Sequence, residues 1–186
     1  RILMTRDPSG MLLAQAACRC KRAEDTARRN EEMRWVQSGL PHPKAWRTFD
    51  NYLFRKGSED AVQYSKRFAA FQGARMLVIV GETGTGKSHL LEAIGREALK
   101  SNPGAAWGIR YEQVTAFLDR LRESYSDTSE QSLGELLEWY QRKRVVLLDD
   151  LGAEKATEWA VERLTAFLDE RMRMGWWTAI ATNLDR

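Results

Sequence analysis

The chain has 186 residues, a formal net charge of +3 and a pI near 9.0, with 43% hydrophobic and 30% charged residues. That length suits one α/β domain with a smaller appendage, and the basic balance permits a nucleic-acid partner without demanding one. No run of about 18 apolar residues occurs, which excludes a membrane-spanning helix, and 2 cysteines without an export signal point to a reducing cytoplasm. The opening Arg1-Ile2-Leu3-Met4 is too short an apolar run for a signal peptide. The chain starts at Arg1 and stops at Arg186 in mid-pattern, so it reads as a piece of something longer.

Residues 2–5 and 11–16 are short apolar runs separated by a stretch with Pro8 and Gly10, which predicts a hairpin. Cys18-Arg19-Cys20 follows, then a charged segment over 21–37 that reads as a solvated helix or linker. Gly39, Pro41 and Pro43 cannot continue a helix. The domain boundary is therefore expected there, with an N-terminal hairpin and charged linker over 1–38 and the main domain over 39–186. Residues 48–52 form an aromatic-bearing turn. Ser58 is expected to cap a helix running to about Gly73, with Ala61, Tyr64, Phe68 and Phe71 inward.

Gly81-Glu82-Thr83-Gly84-Thr85-Gly86-Lys87-Ser88 satisfies the phosphate-loop pattern G-x-x-x-x-G-K-[ST] at every fixed position. The apolar run 76–80 before it reads as a buried parallel strand, and Leu90, Leu91, Ile94 and Ala98 behind it mark one face of a helix. In that context the glycines let backbone N–H groups turn inward on phosphates, and the helix N-terminus adds its positive end. Lys87 is expected to reach the β- and γ-phosphates of ATP, with Ser88 on Mg²⁺ and His89 at the edge of the nucleotide site.

Pro103-Gly104 breaks the chain before a second strand over 106–111. Val114, Phe117, Leu118, Leu121 and Tyr125 then mark a helix, and Leu133, Leu136, Leu137 and Tyr140 another, ending at Arg142-Lys143-Arg144. The apolar run 145–148 closes on Asp149-Asp150, and a buried strand ending in two acids calls for a counter-charge. Beside a phosphate loop that counter-charge is Mg²⁺ on Asp149, leaving Asp150 to orient the attacking water. A further strand over 176–181 ends in Thr182-Asn183, where Asn183 can reach the γ-phosphate or the water. Alternating strands and helices predict a parallel sheet in three layers.

The phosphate loop, the stretch Leu147-Leu148-Asp149-Asp150-Leu151-Gly152-Ala153-Glu154-Lys155 and Ala181-Thr182-Asn183-Leu184 resemble the AAA+ ATPases that load bacterial replicative helicases, the DnaC/DnaI type, with the IstB transposition helper as nearest cousin. The resemblance covers about 39–186. It implies a three-layer P-loop NTPase fold with Gly81 to Ser88 as Walker A, Asp149 and Asp150 as Walker B, and Asn183 as sensor I. It also implies ATP/ADP with Mg²⁺, slow hydrolysis, a homo-oligomeric ring or spiral, and a replicative helicase and single-stranded DNA as partners. In the family a fifth strand, an arginine finger and a lid carrying sensor II follow sensor I, so the domain is expected to be truncated here. The helices between Tyr111 and Arg144 resemble the element that touches single-stranded DNA. Arg110, Tyr111, Arg120, Arg122, Lys143 and Arg144 are the candidates for that contact; the alternative is a solvated face paired with Glu112, Asp119 and Glu123. Cys18 and Cys20 are two free thiols or half of a zinc site. The resemblance favours a zinc-ribbon-like, helicase-binding module whose other cysteine pair precedes Arg1. Three functions stay open: a helicase loader, a nucleotide-gated adaptor with negligible hydrolysis, and a transposition helper.

Overall fold

The computed structural model describes residues 2–6, 12–16, 19–41, 47–101, 108–125, 132–152 and 157–183. The chain divides into two compact units, Arg1–Arg34 and Trp35–Arg186. In the first, strands β1 (Ile2–Arg6) and β2 (Leu12–Ala16) pair antiparallel with Ile2 opposite Ala16, the expected hairpin. Helix α1 (Arg19–Ser38) begins there, and residues 23–33 along it are all exposed, as the charge density of that stretch requires. Cys18 lies outside the described residues, and Cys20 falls in the first turn of α1. The zinc expectation thus rests on residues beyond what is described.

The second unit is built on four parallel strands in the order β3 (Met76–Val80), β6 (Trp177–Thr182), β5 (Val145–Leu151) and β4 (Ile109–Gln113). Side chains alternate across a strand, and the two faces bury different helices. Ile79, Leu147, Ala179 and Ala181 pack with α2 (Glu59–Ala69) and α3 (Lys87–Ser101). Val146, Leu148 and Ile180 pack with α4 (Val114–Glu123), α5 (Leu133–Gln141) and α6 (Glu158–Arg173). The result is the three-layer α/β arrangement that the alternation of strands and helices predicted. Gly95 of α3 allows close packing: a Cβ there would lie 2.8 Å from Leu40 Cδ2 and 2.9 Å from Leu147 Cδ1. Leu40 thereby anchors the segment entering the second unit, helped by Ser38, whose hydroxyl donates to Trp35 O and accepts from Leu40 N–H.

Several boundaries differ from the sequence reading. Helix α2 ends at Ala69, short of Gly73. Gln72 N–H bonds Arg67 O and Phe71 N–H bonds Phe68 O, a Schellman closure with Phe71 at the left-handed position (φ 58) usually given to glycine. Phe71 is held there by the Trp177 ring at 5.5 Å. Tyr64, read as inward, is 57% exposed, and Val62 and Ser65 are the buried positions instead. Ser58 makes no side-chain cap; its hydroxyl closes on Arg55 N–H and O. Tyr125 lies past the end of α4 and is exposed. Strand β4 starts at Ile109, and residues 102–107, into which the predicted strand extended, are outside the described set. In contrast, Ser132 and Glu135 form a reciprocal capping box that starts α5.

Candidate nucleotide-binding site

In an open parallel sheet, ligands bind beyond the carboxyl ends of the strands. Here those ends bring three sequence-distant stretches together. Thr182 pairs in register with both Val80 and Leu151, and Gly81 N–H donates to Thr182 O at 3.3 Å. The glycine loop therefore leaves β3 beside the end of β6, with Asp149 and Asp150 at the end of β5 on its other side. Asn183, exposed, is the next residue after Thr182. It sits between the loop and the two acids, although it does not line the cleft they form.

Residues 81–86 turn from β3 into the N-terminus of α3. Thr85 closes the turn on Glu82 O through its N–H (3.3 Å) and its hydroxyl (2.8 Å). Lys87 is 8% exposed, and its ammonium donates to Gly81 O (2.7 Å) and Glu82 O (2.8 Å). The charge is thus held in the mouth of the loop, where it would face an anion seated on the backbone N–H groups. A cleft of about 370 Å³ opens over the loop, lined among others by Thr83, Gly84, Lys87, Ser88 and Asp150. A second of about 260 Å³ shares Lys87 and is walled by apolar Ala61, Ile79 and Leu90. A polar cleft joined to a less polar one suits a molecule with a charged tail and a flat apolar body.

Asp149 is 2% exposed, and none of the described basic side chains forms an ion pair with it. One carboxylate oxygen, Oδ1, accepts from Ser88 Oγ at 3.1 Å and from Asp150 N–H at 3.0 Å. The other, Oδ2, accepts from Tyr111 Oη at 2.6 Å. Burial, then the adjacent Asp149 charge, pushes the Tyr111 phenol up, so it remains the donor. A hydroxyl and a buried carboxylate oxygen meeting over a phosphate loop form a hard-oxygen donor set that fits Mg²⁺. Asp150 adopts φ 59, and the β5–β6 register shifts between Leu148 and Leu151. This left-handed step, costing on the order of 1–3 kcal/mol, makes β5 irregular at Asp150, which lines the cleft.

Around His89, which the sequence reading placed at the nucleotide site, stand three residues that it passed over there: Tyr52, Arg47 and Glu92. Tyr52 lies across the loop, with its hydroxyl 3.3 Å from Thr85 O and its ring edge-on to His89 at 5.1 Å. His89 Nε2 is 2.7 Å from Thr48 O, so this nitrogen carries the hydrogen, and His89 ties the 48–52 turn to α3 while also lining the larger cleft. Arg47 lines that cleft as well and donates to the buried carboxylate of Glu92 at 2.5 Å. Glu92 is one helical turn beyond Ser88, a spacing legible in the sequence; its partner 45 residues earlier is not.

The basic candidates for DNA contact all have partners inside the chain. Arg110 and Arg120 both bind Glu112, which also accepts from Tyr140. Arg122 pairs with Asp119 and lies 4.9 Å from the Trp159 ring. Lys143 stands 4.0 Å over Trp139, and Arg144 3.9 Å over Phe71. Tyr111, grouped with them by sequence, is turned inward onto Asp149. Only the Arg122–Asp119 pair, exposed at both ends, is what a solvated face presents; Glu112 is buried and draws Arg110 inward.

Four parallel strands between two helical layers, with a phosphate loop after β3 and an acidic pair ending β5, define a P-loop nucleoside-triphosphatase fold of the AAA+ type. The family model described as "IstB-like ATP binding protein" matches residues 10–184, and the chain belongs to that family. Among curated relatives it is 31% identical over 105 residues to the chromosomal replication initiator protein DnaA of Mycoplasma genitalium, 55% of this chain and 23% of the relative. The chain thus spans about a quarter of that relative's length. Among solved structures it resembles replication initiator DnaA bound to AMPPCP and single-stranded DNA (TM-score 0.66, 22% identity, 77% of this chain and 43% of that one). It also resembles the DnaC helicase loader (TM-score 0.62, 23% identity, 75% and 77%). At these identities the structural likeness speaks to the fold.

Proposed function

We propose that the chain binds ATP with Mg²⁺, hydrolyses it slowly, and uses the cycle as a switch that loads a replicative helicase onto single-stranded DNA. The observation that carries this is the meeting of Lys87, Ser88 and Asp150 around one cleft at the carboxyl edge of the sheet, with buried Asp149 hydrogen-bonded to Ser88. In this reading the glycine-loop N–H groups and Lys87 hold the phosphates, and Lys87 exchanges its two carbonyl partners for phosphate oxygens. Tyr52, Ala61, Ile79 and Leu90 receive the base in the smaller cleft. Ser88 and Asp149 hold Mg²⁺, which when bound offsets charge on the β- and γ-phosphates. Asp150, on its left-handed turn, orients the water, with Asn183 at the neighbouring strand end as its partner. The shorter reach of Asp150 compared with a glutamate favours slow turnover.

The fold shared with the DnaC helicase loader over 77% of that chain, together with the Asp-Asp-Leu-Gly-Ala-Glu-Lys stretch, is consistent with the loading role; a homo-oligomeric assembly and a cytoplasmic setting belong to the same reading. Among the described residues no helix is long and apolar enough to cross a membrane. A zinc-bearing, helicase-binding N-terminal module carrying Cys18 and Cys20 belongs to the same reading. The test is retention of a replicative helicase by the chain in the presence of ATP, with ATP turnover measured with and without single-stranded DNA. A second reading, the transposition helper, is favoured by the family match, and retention of a transposase instead of a helicase would select it.

A further inference from the structure

Tyr111 belongs to neither the phosphate loop nor the acidic pair, yet it makes the shortest hydrogen bond that Asp149 receives, 2.6 Å at Oδ2. It reaches this position from the neighbouring strand. Tyr111 pairs with Leu147 and Gln113 with Asp149, so Tyr111 and Asp149 lie two residues apart along the register and share the face that packs α3. A carboxylate turns easily about its last torsion, and Asp149 has no described basic partner to hold it. Its Oδ1 bonds, to Ser88 and to Asp150 N–H, are 3.1 and 3.0 Å.

We infer that Tyr111 is a positioning residue for the metal carboxylate. By occupying Oδ2 it turns Oδ1 toward Ser88 and the phosphate loop and prevents the carboxylate from rotating away. An O–H···O⁻ bond of this length belongs to the strong, charge-assisted kind. The ring that carries the hydroxyl packs against the core cluster under α3, so the donor is itself fixed. Partners that orient a metal ligand from behind are typically worth about 10–100-fold in metal affinity. The inference rests on the nucleotide reading above.

The test uses the whole chain with a methylanthraniloyl-ATP probe, titrated in EDTA and across a Mg²⁺ series. Tyr111→Phe keeps the ring and removes the hydroxyl. The Mg²⁺ midpoint for tight probe binding should rise about 10-fold, with affinity in EDTA unchanged. In an Asp149→Asn background, adding Tyr111→Phe should shift the midpoint no further, because both act through one carboxylate. An unmoved Mg²⁺ midpoint overturns the inference, as does an equal loss in EDTA and in Mg²⁺, which would make Tyr111 a packing residue only. If the unaltered chain fails to bind the probe under either condition, the nucleotide reading falls and the inference falls with it. Probe binding with an unmoved midpoint removes the inference alone.

Discussion

The Tyr52 ring lies directly over Gly86, so that a methyl on the Gly86 Cα would stand 2.9 Å from Tyr52 Cε2 and 3.0 Å from its hydroxyl oxygen. Gly86 also has φ +96, which side chains rarely adopt. Gly86→Ala is therefore expected to displace the 48–52 turn from the loop and to cost about 1–3 kcal/mol of stability. It should also weaken nucleotide binding more than Gly84→Ala, where a methyl would meet nothing within 4 Å. Denaturant unfolding with parallel nucleotide titration checks both. Equal effects at the two glycines would mean that Tyr52 does not clamp the loop.

Lys87→Ala should reduce nucleotide affinity severely, since among the described residues no other lysine lines the larger cleft. The fold should survive, because the lysine's present partners, Gly81 O and Glu82 O, lie at a solvent-facing loop. Calorimetric titration with ATP, alongside circular dichroism to establish folding, is the measurement. Unchanged affinity in a folded variant would remove the phosphate-loop assignment.

The sheet and its site were legible to different depths. The phosphate loop and the acid pair are local patterns, and the helices whose apolar residues recur at 3.6 came out near their observed bounds. What the sequence hid was set by tertiary contact. The early end of α2 depends on Phe71 tolerating a left-handed turn against Trp177, a residue more than a hundred positions away. Tyr111 read as an exposed stacking residue because Arg110 precedes it; only the register of β4 on β5 turns it toward Asp149. Helix α6 went unread, although Ala160, Leu164, Phe167 and Arg171 keep the spacing of a buried face, because a buried arginine breaks the apolar stripe.

Asp150→Asn separates a hydrolysing switch from an adaptor that only binds. It keeps the size of the side chain and its left-handed backbone, which asparagine tolerates well. If Asp150 orients the water, turnover should fall about 10²–10⁴-fold while nucleotide affinity stays within a few-fold. Steady-state phosphate release with and without single-stranded DNA decides the matter. No turnover in the unaltered chain under either condition would favour the adaptor, and equal turnover in both chains would take Asp150 out of the chemistry.

Arg171 provides the last test, on stability. It is fully buried on α6 without an acidic partner among the described residues, and burial pushes its guanidinium down, to about 9, which leaves it charged at neutral pH. The charge is used on oxygens at the end of α5 and the start of β6: it donates to Tyr140 O (3.1 Å), Lys143 O (3.1 Å), Trp177 O (2.9 Å) and Thr178 Oγ1 (2.8 Å). Two of these are carbonyls at a helix C-terminus, where bonds within the helix run out and positive charge is favoured. Arg171→Ala removes a donor from each of these oxygens, leaving Tyr140 O only its bond from Lys143 N–H, and opens a cavity, for an expected loss on the order of 3–5 kcal/mol. Arg171→Lys retains the charge but lacks the planar fork, and should recover only part of the loss. The control is Arg142→Ala: its pair with Glu138 is exposed at both ends and should matter by no more than about 0.5 kcal/mol. Urea unfolding of the three variants gives the comparison. If Arg171→Ala cost no more than Arg142→Ala, the guanidinium would not be what joins α5, α6 and β6.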